Sequence, residues 1–166
     1  LYDNGKFGLT DRVSDYIPVL KGTGKERITI EELLMHQSGL PAFWPFYKKA
    51  IDEESYTGAF YRTRPDAGHH RQIDTRLFVI DHFGYKKELV SKVFSSDYPL
   101  LVSDSMYLHR SFRDSVLQQI AGVPLKDRRY RYSDLNFILL REIVENITKI
   151  PMNIFLQKEF YKPMKM

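Results

Sequence analysis

The sequence predicts a mainly α protein with room for one small β-hairpin. Three observations carry that expectation. The last third holds successive apolar faces at helical spacing: Phe112, Val116, Leu117 and Ile120, then Phe137, Leu140, Val144 and Ile147, then Ile154 and Phe155 behind Pro151. Near the start, Thr29-Ile30-Glu31-Glu32 has the form of a capping box followed by Leu33 and Leu34. The hairpin candidate is Leu100–Val102 with Met106–Leu108, two short apolar runs flanking Ser103-Asp104-Ser105.

Taken in order, Thr10 to Tyr16 is long enough for one helical turn, which Pro18 ends. Lys21-Gly22-Thr23-Gly24-Lys25 reads as a surface loop. The capped helix from Thr29 stops near Gln37, because Gly39 suits a left-handed C-terminal position and Pro41 cannot continue a helix. Phe46 to Ile51 is the next helical candidate. Thr57 to His70 reads as a Gly/Pro/Arg loop, Leu77 to Ile80 as a short apolar run. Gly84 to Phe94 places Tyr85, Leu89, Val90 and Val93 at helical spacing, and a helix is expected there. Helices are then expected from Ser111 to Gly122, from Ser133 or Asp134 through Ile147, and from Pro151 to Glu159, Pro being favoured at a first helical position. The whole, residues 1–166, is read as one helical region.

Composition narrows the function classes. A chain of 166 residues that is 43% hydrophobic and 28% charged can bury a core, and its mean hydropathy is −0.39. No apolar run approaches the roughly 20 residues a membrane-spanning helix needs. Lys and Arg number 25 against 21 Asp and Glu, spread along the chain, so no polyanionic partner is implied. The absence of cysteine excludes disulfides, Cys-ligated zinc and iron–sulfur centres, and a cysteine nucleophile. His69-His70 has no partner set at metal-ligand spacing, and His36 near a helix end reads as a packing or capping residue; no metal and no cofactor are expected. Gly22-Thr23-Gly24-Lys25 departs from a phosphate loop. Lys126 to Tyr132 interleaves basic residues with Tyr130 and Tyr132, a pattern suited to nucleic acid and equally to a solvated loop; the second reading is preferred and no nucleic-acid partner is expected.

Three stretches belong together: Ile28-Thr29-Ile30-Glu31-Glu32-Leu33-Leu34-Met35-His36-Gln37-Ser38-Gly39-Leu40-Pro41, then Tyr130-Arg131-Tyr132-Ser133-Asp134-Leu135-Asn136-Phe137-Ile138-Leu139-Leu140, then Phe160-Tyr161-Lys162-Pro163-Met164-Lys165-Met166. In this order they resemble the serine hydrolases of the class C β-lactamase, DD-peptidase and esterase superfamily. Those proteins carry a helix ending in Ser-Gly-Leu-Pro, a Tyr-Ser-Asn or Tyr-Ser-Asp helix opening, and an aromatic-x-x-Pro-x-x-Met helix end. Asp3 to Asp11 is similar to the stretch that follows their nucleophile helix. The resemblance covers about residues 1–45 and 100–166, and leaves 42–99 as a poorly matched insertion.

The resemblance implies the helical part of a β-lactamase/transpeptidase-like fold whose central antiparallel sheet is missing here. It implies acyl-enzyme chemistry on an ester, peptide or β-lactam bond, with a small-molecule or peptidoglycan-like acyl substrate and a periplasmic or extracellular location. It makes Tyr132 the tyrosine that relays protons to the leaving group, with Asp134 standing where many members carry Asn. Ionised Asp only accepts hydrogen bonds and raises the pKa of a nearby tyrosine. The family's nucleophile lies in Ser-x-x-Lys, and no serine here has Lys three residues on. The Lys-Thr-Gly or His-x-Gly element is also missing, since His82-Phe83-Gly84 precedes the tyrosine motif. The chain therefore reads as a piece of a larger hydrolase, inactive alone, with a sheet-facing surface open to self-association. The competing reading is a non-catalytic binding module, a degenerate hydrolase. Phe43, Trp44 and Phe46 lie where the family places the active-site rim, as substrate contacts or as core beneath the insertion.

Overall fold

A computed structural model describes all 166 residues, Leu1–Met166. The chain divides into two compact units, one formed by Leu1–Trp44 with Val116–Met166, the other by Pro45–Ser115.

The first unit is helical, and its start is organised by a short β-like exchange. Val13 N–H donates to Ile28 O at 2.8 Å, Ile30 N–H to Asp11 O at 3.1 Å, and Arg12 bridges Thr29. That exchange sets helix α1 (Val13–Tyr16) beside α2 (Ile30–Leu34). The capping box forms as the sequence predicts: Glu32 N–H donates to Thr29 Oγ1 at 3.2 Å, and Thr29 N–H to Glu32 Oε2 at 3.0 Å. Helix α3 (Ser111–Gly122) follows the insertion, and α4 (Asp134–Thr148) is the long element against which α1 and α2 both pack. The core consists of Val13, Ile17, Leu20, Ile28, Ile30, Leu33 and Leu40 meeting Ile120, Val123, Leu135, Leu139 and Ile143, each at most 2% exposed. Burial of such side chains is worth about 1.5 to 3 kcal/mol apiece against leaving them exposed.

Two polar devices lock these helices. Lys25, in the expected surface loop, is buried instead. Its ammonium donates to Ala121 O at 2.9 Å and to Val123 O, capping the carbonyl end of α3, and burial pulls its pKa down. Asn146 Nδ2 donates to Tyr16 O at 2.9 Å, tying α4 to α1. Helix α4 ends at Lys149, which takes the left-handed conformation usual for glycine. Pro151 sits just before α5 (Met152–Leu156), with extended ψ, and a single π-helical turn (Gln157–Tyr161) follows.

The expectation of a mainly α chain with one hairpin is corrected by the second unit. It contains eight short strands in three small antiparallel sheets. Strand β1 (Ile51–Asp52) pairs with β5 (Gly84–Tyr85). Strands β2 (Tyr61–Arg62) and β3 (Arg71–Asp74) flank β4 (Leu77–Val79), and β6 (Val90–Ser91) and β7 (Leu100–Ser103) flank β8 (Met106–Leu108). The expected hairpin is β7–β8, gaining β6 as a third strand. The helix expected over Gly84 to Phe94 is replaced by β5, one turn at Lys86–Val90, and β6. Its helical spacing lost to pairing: Gly84 N–H donates to Ser55 Oγ at 2.6 Å, and a Cβ on Gly84 would stand 3.2 Å from Ser55 Cβ. Val93, at 72% exposure, never joins an apolar stripe. Phe46–Ala50 is a 3₁₀ helix.

One buried histidine organises this unit. His69 is 5% exposed, with Nδ1 2.8 Å from Asp66 Oδ1 and Nε2 2.8 Å from Ala59 O. Both neighbours only accept, so both ring nitrogens must carry protons and the imidazolium is the form that fits. The Asp66 hydrogen bond, above all, raises the His69 pKa, opposed by burial. A raised folded-state pKa stabilises most below the free value of about 6.5, and that stability fades as pH rises through the elevated folded value. Amide hydrogen exchange of residues 59–69, corrected for intrinsic base catalysis, should therefore show progressive loss of protection as pH rises above the free value of about 6.5. In His69→Gln that pH dependence should vanish. Equal behaviour of the two proteins would remove the imidazolium from the account.

Candidate active site

The site grows out of the turn that ends α2. His36 has φ +53° and Gly39 φ +78°, so the turn from Met35 to Pro41 contains two left-handed residues. Gly39 is required there, since a Cβ would meet Lys126 O at 2.5 Å on top of the left-handed backbone. The segment from Lys126 to Asp134 lies along this turn. Lys126 N–H donates to Gly39 O and Arg131 N–H to His36 O, each at 2.8 Å, and Asp134 N–H donates to Ala42 O at 2.9 Å. Ser133 Oγ donates to Pro41 O at 2.7 Å, and Arg128 meets Glu32 at 2.8 Å. The basic and aromatic stretch is thus a strap fastened to the turn by the backbone N–H groups of Lys126, Arg131, Ser133 and Asp134.

The pin through both pieces is Asn136, fully buried in the first turn of α4. Its Nδ2 donates to Leu33 O at 2.9 Å and lies 3.1 Å from His36 Nδ1, while its Oδ1 accepts from Ser38 Oγ at 2.7 Å. Ser38 Oγ also accepts from Leu40 N–H at 3.2 Å. At 1% exposure this serine holds the turn and is closed to substrate.

Tyr132 is what the interlock displays. The residue is 51% exposed, and its ring lies 4.8 Å from the His36 ring at 36° and 6.1 Å from the Phe137 ring. The Asp134 carboxylate, two residues on, raises the pKa of the Tyr132 phenol, first through its hydrogen-bonding effect, with partial desolvation and the carboxylate charge adding to it. A raised pKa keeps the Tyr132 phenol protonated at neutral pH. Asp134→Asn should lower the Tyr132 pKa toward the ordinary value of about 10, read by ultraviolet or NMR titration. An unmoved titration would disconnect the two groups.

Phe43 and Trp44 follow directly on the Ala42 tie. Phe43 is 59% exposed and Trp44 half-exposed. The ring contacts of Tyr132 run to His36 and Phe137 and not to either of them. Phe46 and His82-Phe83-Gly84 belong to the other unit, where Gly84 pairs with Asp52. Sequence reasoning passed over Asn136, the residue that joins the two motifs. Its signal was a polar side chain on the stripe it shares with Leu139 and Ile143. Around the site Leu34, Met35, Tyr130 and Phe137 are exposed apolar side chains. No helix of the structure is long and apolar enough to cross a membrane.

A left-handed His-x-Ser-Gly-Leu-Pro turn pinned to a Tyr-Ser-Asp helix start defines the class of protein. The profile described as Beta-lactamase matches residues 1–166. The chain belongs to the Beta-lactamase family. It is similar to an N-acetylmuramyl-L-alanine amidase of Bacillus subtilis (strain 168), 23% identical over 175 residues, covering 100% of this chain and 28% of that protein. It is also similar to a protein of Salmonella heidelberg (strain SL476), provisionally named D-alanyl-D-alanine carboxypeptidase, 23% identical over 169 residues and covering 96% of this chain and 27% of that protein. The counterpart of the same name in Salmonella paratyphi A (strain ATCC 9150 / SARB42) is 22% identical over the same length. The chain thus spans under a third of the length of these relatives. No solved structure matches the chain.

Proposed function

We propose that this chain is the tyrosine-bearing helical part of a β-lactamase-related serine hydrolase that acts through an acyl-enzyme. The observation that carries the proposal is Tyr132, displayed half-exposed by an interlock of buried hydrogen bonds, with its pKa raised by Asp134. In the complete enzyme a serine hydroxyl adds to the substrate carbonyl while a lysine and Tyr132 pass its proton to the leaving group; water then releases the acyl group. Tyr132, resting protonated, is suited to the donating half of that relay. Phe43 and Trp44 flank the substrate as part of the rim. The relatives' names support a peptidoglycan-like substrate handled outside the cytoplasm, in the periplasm or extracellular space. The 166 residues alone are inactive in this proposal, because none of their serines has Lys three positions on and Ser38 is buried.

Treating the complete protein and the 166-residue chain separately with a fluorophosphonate or a labelled penicillin, followed by mass spectrometry, tests this. Label is expected on a serine of the complete protein outside these residues, and none on the short chain. Stoichiometric labelling of a serine within residues 1–166 would overturn it. The Asp134 contact, which holds the phenol back from acting as a base, favours one other reading: a degenerate hydrolase kept for binding. That reading predicts a complete protein that resists acylation yet retains muropeptides.

A further inference from the structure

We propose that His36 is a positioning residue for Tyr132: a neutral imidazole, held in its Nε2–H form by two donors on Nδ1, that serves as the seat on which the phenol ring rests. The kinetic consequence rests on the hydrolase reading; the structural claim stands on this chain alone.

The tautomer follows from the partners. Ser133 N–H can only donate, and it lies 3.2 Å from His36 Nδ1. The Asn136 amide cannot be turned round, because its Nδ2 also faces the Leu33 carbonyl, a pure acceptor. Nδ2 is therefore a donor toward His36 Nδ1 as well, at 3.1 Å. Two N–H groups converge on Nδ1, so that nitrogen carries a lone pair and the proton sits on Nε2. A proton on Nδ1 would abolish both bonds and face both donors.

The same residue grips Tyr132 on both sides along the chain. His36 O accepts from Arg131 N–H, immediately before Tyr132, and His36 Nδ1 accepts from Ser133 N–H, immediately after it. Between those grips the imidazole meets the phenol ring at 4.8 Å, with Phe137 at 5.3 Å and Tyr130 at 6.2 Å standing edge-on to the imidazole. His36 holds φ +53° to do this, a conformation unfavourable for a non-glycine residue that persists only where surrounding bonds enforce it.

Two substitutions separate the grips from the seat. His36→Asn places an amide oxygen near the Nδ1 position and tolerates the left-handed backbone, keeping the acceptor and removing the ring. His36→Phe keeps a ring and removes the acceptor. In the full chain, nitrogen NMR of the imidazole at pH 8 is expected to show a protonated Nε2 and a bare Nδ1. His36→Asn is expected to shift the Tyr132 ring resonances while leaving Tm nearly unchanged, and His36→Phe to lower Tm. In the complete hydrolase, His36→Asn is expected to lower kcat by on the order of tenfold or more at nearly constant KM, the signature of a misplaced proton relay. The opposite tautomer, or unshifted Tyr132 resonances in His36→Asn, overturns the proposal, as does wild-type kcat in that variant. If the wild-type complete protein forms no acyl-enzyme, the hydrolase reading fails, and the tautomer and ring shifts decide the role of His36 by themselves.

Discussion

Asn136→Ala is expected to destabilise the first unit by about 3 to 4 kcal/mol, roughly a 10 °C fall in Tm for a chain of this size. The truncation removes the donor to Leu33 O and the acceptor for Ser38 Oγ, both within the core, and opens a cavity beside Leu139. A buried donor left without its acceptor costs about 1 to 3 kcal/mol, which falls on the Ser38 hydroxyl; Leu33 O keeps the His36 N–H at 3.2 Å, and the lost hydrogen bonds and the cavity add to the loss. Asn136→Asp should fare little better, since an oxygen would then face the Leu33 carbonyl. Ser38→Ala unpairs the Asn136 carbonyl oxygen and Leu40 N–H but removes a single oxygen atom and opens almost no cavity, so it should cost less than Asn136→Ala. Denaturant or thermal melts of the three variants check the order. A loss below about 1 kcal/mol in Asn136→Ala would show that water or relaxation replaces the pin.

The second large effect is on chemistry. In the complete hydrolase, Tyr132→Phe should lower the acylation rate by about 10²- to 10⁴-fold, the range general acid–base groups contribute. Stability should change little, because the phenol oxygen lies on a half-exposed ring whose packing against His36 and Phe137 survives the change. Stopped-flow acylation with a chromogenic ester or β-lactam, beside a melt of the same variant, measures both. Near-normal acylation by a well-folded Tyr132→Phe protein would take Tyr132 out of the mechanism.

What could be read from the sequence was what depends on neighbours. The capping box needs only Thr29 and Glu32, three residues apart, and the stripe of α4 needs only its own spacing. Strands β1 and β5 are two residues each and meet as Ile51 with Tyr85, so neither carries enough period-two pattern to announce itself. A stretch such as Tyr85 to Val93 then shows helical spacing by chance, with nothing nearby to contradict it. The segments around the candidate site divide the same way. Tyr132 and Asp134 were legible because they sit two apart in a recognisable helix opening. Asn136 was not, because its partner Ser38 lies 98 residues away and a lone amide in a helix has many ordinary uses.

The buried apolar side chains of the first unit all come from Val13–Leu40 and Ile120–Ile143, none from the intervening stretch. Selection for those core side chains therefore acts directly on none of residues 45–110, which precede α3. Their sequence and length are free to drift at a different rate, so relatives with the same Tyr132 interlock can be expected to differ most in this stretch. Graded trimming of the stretch, rather than point mutation, is the manipulation to which the helical unit should be least sensitive.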